Sequence, residues 1–69
     1  MQALRAFREK QGISQYNMAR KLDISLSFYE KIESGHARPS RNFMERIKIA
    51  YPEIKIDDMF FSELQKAGV

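Results

Sequence analysis

Apolar residues recur three and four positions apart along most of the chain, the period of a helix with one buried face. The clearest stretch is Gln15 to Ser34, QYNMARKLDISLSFYEKIES. Met18, Ala19 and Leu22 fall on one face of a first helix. Asp23 breaks the period, Ile24 plugs the corner, and Ser25 stands ready to cap a second helix that turns Tyr29 and Ile32 inward. Ala19 is small, as the close crossing of two helices requires. The pattern predicts two short helices held at a fixed angle by a tight turn.

The flanking segments follow the same logic. A helix is expected from about Gln2 to Gln11, with Leu4, Phe7 and the stem of Arg8 inward, ended by Gly12 as a left-handed cap. Ile13 precedes the cap residue Ser14 in the manner of a hydrophobic staple. Gly35 closes the helix that follows the turn. Pro39 keeps the exit loop from continuing as helix, and Ser40 caps a helix from Arg41 to about Ala50 that buries Phe43, Met44, Ile47 and Tyr51. Pro52 ends it. Ile54 and Ile56 alternate with charged residues in an extended link, and Asp57 is expected to cap a last helix over about 57–66 carrying Met59, Phe60 and Leu64. The expectation is an all-α fold, five helices around one core, forming a single domain over residues 1–69.

Sixty-nine residues allow only a small core, so good packing or dimerisation is needed for stability. The absence of cysteine removes disulfides and thiolate metal sites. The opening MQALRAFREK has no apolar signal core, and no apolar run reaches membrane-spanning length, so a cytoplasmic protein without membrane contact is expected. The net charge of +3 is unevenly placed: residues 1–51 hold ten Lys/Arg against five Asp/Glu, and the remainder two against four. The basic surplus therefore belongs to the part containing the helix pair, where it suits attraction to a polyanion.

Enzymatic readings find little support. One histidine and no Gly-rich phosphate loop leave no catalytic constellation, and the spacing of Glu53, Asp57 and Asp58 fits no calcium loop. No metal, cofactor or small-molecule ligand is expected.

A corner of this kind projects its second helix outward, where it can enter the major groove of DNA. With Tyr29 and Ile32 inward, the outward positions are Leu26, Ser27, Glu30 and Lys31. Lys31 can donate to guanine N7 and O6, Ser27 can bond any base edge, and Leu26 can cover a thymine methyl. Glu30 can accept from cytosine N4 or repel phosphate. Phe28 lies between the two faces. No bidentate Asn, Gln or Arg is available, so modest affinity per monomer is expected. The amino end of the first helix of the pair, with its free N–H groups, suits a phosphate, and Gln15 stands there. His36, Arg38 and Arg41 flank the exit of the second, a further backbone clamp.

The stretch resembles the helix-turn-helix of lambda-repressor and Cro-like (XRE) regulators, from LRAFRE at Leu4 to IDDMFF ending at Phe61. Its more specific parts are Ser14-Gln15, Ile32-Glu33 and the exit Gly35 to Ser40. YPEIKIDDMFF resembles a subgroup of small regulators from Gram-positive bacteria and their mobile elements. The resemblance implies double-stranded DNA as partner, base contact by Leu26, Ser27 and Lys31, a phosphate contact by Gln15, and a structural ion pair between Arg8 and Glu33. Two departures are plain: Asp23 replaces the usual glycine of the turn, and the outward face lacks the usual Gln, Asn or Arg.

The carboxyl end is rich in apolar residues. Met59 and Phe60 are expected in the core, whereas Phe61 and Leu64 are candidates for a homodimer contact. The function expected is a transcriptional regulator, a repressor on a palindromic operator. The alternatives are a protein-interaction module built on the same scaffold, or an antitoxin repressing its own operon.

Overall fold

The computed structural model describes residues 1–61. Four α-helices are followed by one short helical turn: α1 (Gln2–Gln11), α2 (Gln15–Leu22), α3 (Leu26–Ser34), α4 (Arg41–Ala50) and α5 (Asp57–Phe61). No strand occurs among the described residues. This is the all-helical architecture that the periodicity predicts, in the order that the resemblance to lambda-repressor-like regulators implies.

Serine begins three of the helices for one physical reason. The first turn of a helix has backbone N–H groups with no partner in the helix, and a hydroxyl one residue ahead can accept from one of them. Ser14 accepts from the Asn17 N–H at 3.1 Å, Ser25 from Phe28 at 3.1 Å and Ser40 from Phe43 at 3.0 Å. The opposite ends close through left-handed residues. Gly12 and Gly35 have φ of 70° and 90°, a region that costs glycine nothing. Asp23 takes the same role after α2 with φ 56°, and Ile24 N–H then reaches back to the Ala19 carbonyl at 3.0 Å. That bond, between residues five apart, is the Schellman closure that turns the chain sharply into α3.

The core comes from the apolar stripe of each helix. Leu4, Met18, Leu22, Tyr29, Ile32, Phe43 and Ile47 are fully buried, and each such aliphatic or aromatic side chain contributes about 1.5–3 kcal/mol of transfer free energy. Ala19 is buried among them, so a larger residue there overpacks the site at about 1–3 kcal/mol. Phe7 is half-buried, its ring set edge-on to Tyr51 at 5.0 Å.

The carboxyl segment differs from expectation. Ile54, read as part of an extended link, is core at 4 % exposure, while Met59 and Phe60 are only partly buried. The reason is the route of the chain: the Lys48 ammonium donates to the Ile54 carbonyl at 2.8 Å and holds the link down against α4. Phe60 then meets Phe43 edge-on at 6.1 Å from outside. Asp57 is the first residue of α5, not its cap, and α5 is wound as a π-helix. The expected extension to residue 66, with Leu64, lies outside the described residues. Met44 is half-buried, not fully buried.

Candidate nucleic-acid interface

The candidate recognition face is built by subtraction. α3 commits Tyr29, Ile32 and Glu33 to the interior, which leaves Leu26, Ser27, Glu30, Lys31 and Ser34 facing solvent along one side. All four expected base-reading positions therefore share an exposed face. Leu26 is 40 % exposed, a large apolar side chain left open near the amino end of α3. Phe28 is half-buried at the edge of the face.

Glu33 and Arg8 fix where that face points. Arg8 Nε donates to Glu33 Oε2 and Arg8 Nη2 to Glu33 Oε1, each at 3.0 Å, a planar two-bond fork. Arg8 Nη1 donates to the Ile13 carbonyl at 2.9 Å, so one guanidinium joins α1, the entry to α2 and the last turn of α3. Burial disfavours the Glu33 carboxylate, but hydrogen bonds from Arg8 and Gln15 more than offset it, and the Glu33 pKa is lowered. The bond to Glu33 likewise raises the pKa of Arg8. The Tyr29 hydroxyl is buried beside the pair without a hydrogen bond of its own. Burial, then the Glu33 carboxylate, pushes its pKa up, so it stays neutral. The amino group of Met1 donates to the Glu33 backbone carbonyl at the same place.

The expected phosphate contacts separate on inspection. Gln15 sends its Nε2 inward to Glu33 Oε1 at 3.1 Å, which commits one of its two amide hydrogens to the interior. His36 and Arg41 are exposed, but His36 Nδ1 is held by the Ser34 hydroxyl at 2.8 Å and Arg41 by Glu45 at 3.0 Å. Arg38 is exposed and makes no ion pair among the described residues. Of the two arginines, Arg38 is the one without a carboxylate partner among the described residues.

One structural residue went unassigned in the sequence. Arg46 on α4 directs Nη1 to the Leu22 and Asp23 carbonyls at 3.2 and 3.1 Å, and to the Asp23 carboxylate at 3.4 Å. A cation thereby sits on the carbonyl end of α2, where the helix dipole favours it, and pins the turn between α2 and α3. The signal was present: Arg46 lies three residues after Phe43, on the inward side of α4.

Two helices of eight and nine residues, joined through a left-handed Asp and braced at both ends by arginines from α4 and α1, define a helix-turn-helix unit. Residues 4–58 match the model of the helix-turn-helix family, from within α1 to the start of α5, and the chain belongs to that family. It is a lambda-repressor/Cro-like, DNA-binding regulator. No curated protein and no solved structure matches the chain. No helix among the described residues is long and apolar enough to cross a membrane.

Proposed function

We propose that the protein is a cytoplasmic, sequence-specific repressor that occupies a palindromic operator as a homodimer. The observation that carries this reading is the common exposed face of Leu26, Ser27, Glu30 and Lys31 on a helix whose last turn is tied to Arg8 and whose preceding turn is pinned by Arg46. Lys31 and Ser27 donate to base edges, Leu26 covers a thymine methyl, and Glu30 accepts from cytosine or repels phosphate. The second amide hydrogen of Gln15, with Arg38, Arg41 and His36, positions the duplex through its phosphates. A reader with so few bidentate donors needs two copies, one DNA turn or about 34 Å apart. Phe61, exposed at 37 % beside Met59 and Phe60, supplies an apolar surface for pairing.

Selection of bound duplexes from a random library, with Ser27→Ala/Lys31→Ala alongside, tests the proposal. A two-fold symmetric motif that the double variant loses is the expected result. A folded protein that enriches no motif overturns it.

The exposure of Leu26 favours a second reading, in which the helix-turn-helix scaffold docks on another regulator through its apolar edge. An antitoxin that represses its own operon fits the DNA chemistry equally. Salt separates the two modes of contact, because phosphate contacts weaken steeply with added salt and an apolar protein contact does not.

A further inference from the structure

Tyr16 and Arg20 lie four residues apart on α2 and both face solvent. Tyr16 is 51 % exposed, and the Arg20 guanidinium carbon stands 5.8 Å from the centre of its ring. An aromatic face attracts a cation held over it, so the ring restricts where the guanidinium can go. Arg20 lies in the last turn of α2, where the helix dipole favours a cation, but neither it nor Tyr16 is buried in the domain.

Charge points to an occupant. α2, QYNMARKL, carries two basic residues and no acidic one. Among the described residues Arg5, Arg8, Arg41 and Arg46 each meet a carboxylate, whereas Arg20, like Arg38, meets none. The other base of α2, Lys21, is turned toward α4 with its ammonium 4.2 Å from the Tyr51 ring centre. Helical geometry turns Arg20 by about 100° and Tyr16 by about 140° from Lys21, and Tyr16 stands next to Gln15 at the amino end of α2. A positive group held over an exposed ring, without a carboxylate partner among the described residues, is complementary to an anion rather than to an apolar surface.

We infer that Tyr16 and Arg20 form a further phosphate-binding pair for duplex DNA. The guanidinium donates to a backbone phosphate adjoining the one at the amino end of α2, and the Tyr16 ring holds it there. This inference rests on the DNA-binding reading and adds a contact that carries no sequence information.

The test is equilibrium binding across a salt series, to the selected duplex and to a random one, for wild type, Arg20→Gln and Tyr16→Leu. Arg20→Gln is expected to lower the steepness of log K against log salt by about 0.9, the loss of one phosphate contact. It should weaken both duplexes by the same factor and leave the melting temperature unchanged. Tyr16→Leu keeps the charge, so it should weaken both duplexes by a smaller common factor with the wild-type salt slope. Wild-type slope and affinity in Arg20→Gln overturn the inference while leaving the DNA reading intact. A fall in the ratio between selected and random duplex also overturns it, since the pair then reads bases. Wild-type protein that binds neither duplex at any salt overturns the inference together with the reading beneath it.

Discussion

Arg8 and Glu33, twenty-five residues apart, meet through two parallel bonds of 3.0 Å, and both side chains are nearly closed to solvent. The pair ties the first helix to the last turn of the recognition helix. With Gln15 on the same carboxylate, the amino end of α2 is fastened to the same point. The angle at which α3 is presented is therefore set partly by a polar network, not by apolar packing alone.

Removing one partner strands the other. Glu33→Ala leaves a guanidinium 14 % exposed with no carboxylate, at a cost of about 3–5 kcal/mol. Thermal unfolding followed by circular dichroism should show a fall in Tm of well over 10 °C, at about 4–8 °C per kcal/mol for a domain of this size. Glu33→Gln keeps an acceptor for Arg8 and should fall by less. Loss of DNA binding in Glu33→Ala with an unchanged Tm would remove the structural role.

The same carboxylate sets an acid limit. Its folded pKa lies below the ordinary 4.5, so ionised Glu33 adds stability that is fully present above pH 4.5. That contribution is lost as pH falls through the lowered folded value. Chemical denaturation at pH 7 and at pH 3 should show a smaller pH-dependent loss in Glu33→Gln than in wild type. Equal losses in the two proteins would assign the acid sensitivity to other carboxylates.

Local signals were the legible part of this fold. Ser14, Ser25 and Ser40 announce three helix starts, and Gly12 and Gly35 announce two ends, because caps act over three or four residues of chain. The outward set Leu26, Ser27, Glu30 and Lys31 followed from periodicity once Tyr29 and Ile32 were placed inside. Long-range polar contacts were harder. That Gln15 turns inward to Glu33, and that Arg46 reaches the turn across 23 residues, depends on how helices cross, which no short window encodes. Arg8 and Glu33 were visible only through resemblance. The burial of Ile54 over Met59 and Phe60 was hidden for a related reason, since bonds back to Lys48 and Tyr51 hold the link against α4.

Arg46 offers a second structural test. Arg46→Met keeps an apolar stem of similar reach and deletes the donors to the Leu22 and Asp23 carbonyls. Unsatisfied carbonyls cost about 1–3 kcal/mol each when buried, and the lower end applies here because the Arg46 side chain is 37 % exposed. A loss of about 1–2 kcal/mol in denaturant unfolding is expected, with amide shift changes concentrated at Asp23, Ile24 and Ser25. Arg46→Lys keeps a cation on the carbonyl end of α2 and should recover part of the loss. Shift changes spread evenly over α4 instead would mean that Arg46 acts by packing.

Asp23 holds a backbone conformation, φ 56° and ψ 47°, that glycine reaches without strain and aspartate only with some. Its carboxylate also sits at the carbonyl end of α2, the end a helix dipole makes unfavourable for negative charge. Against this stand its 3.4 Å approach to Arg46, long for an ion pair and at a side chain 94 % exposed, and the extra freedom that glycine gives the unfolded chain. Relief of left-handed strain outweighs those terms, so Asp23→Gly should raise stability by about 0.5–1 kcal/mol. Asp23→Ala keeps the Cβ and loses the polar side chain that eases the left-handed region, and should lower stability by a similar amount. Denaturant midpoints for the two variants give the answer together. If glycine destabilises as alanine does, the carboxylate contact with Arg46, and not the backbone, sets the turn.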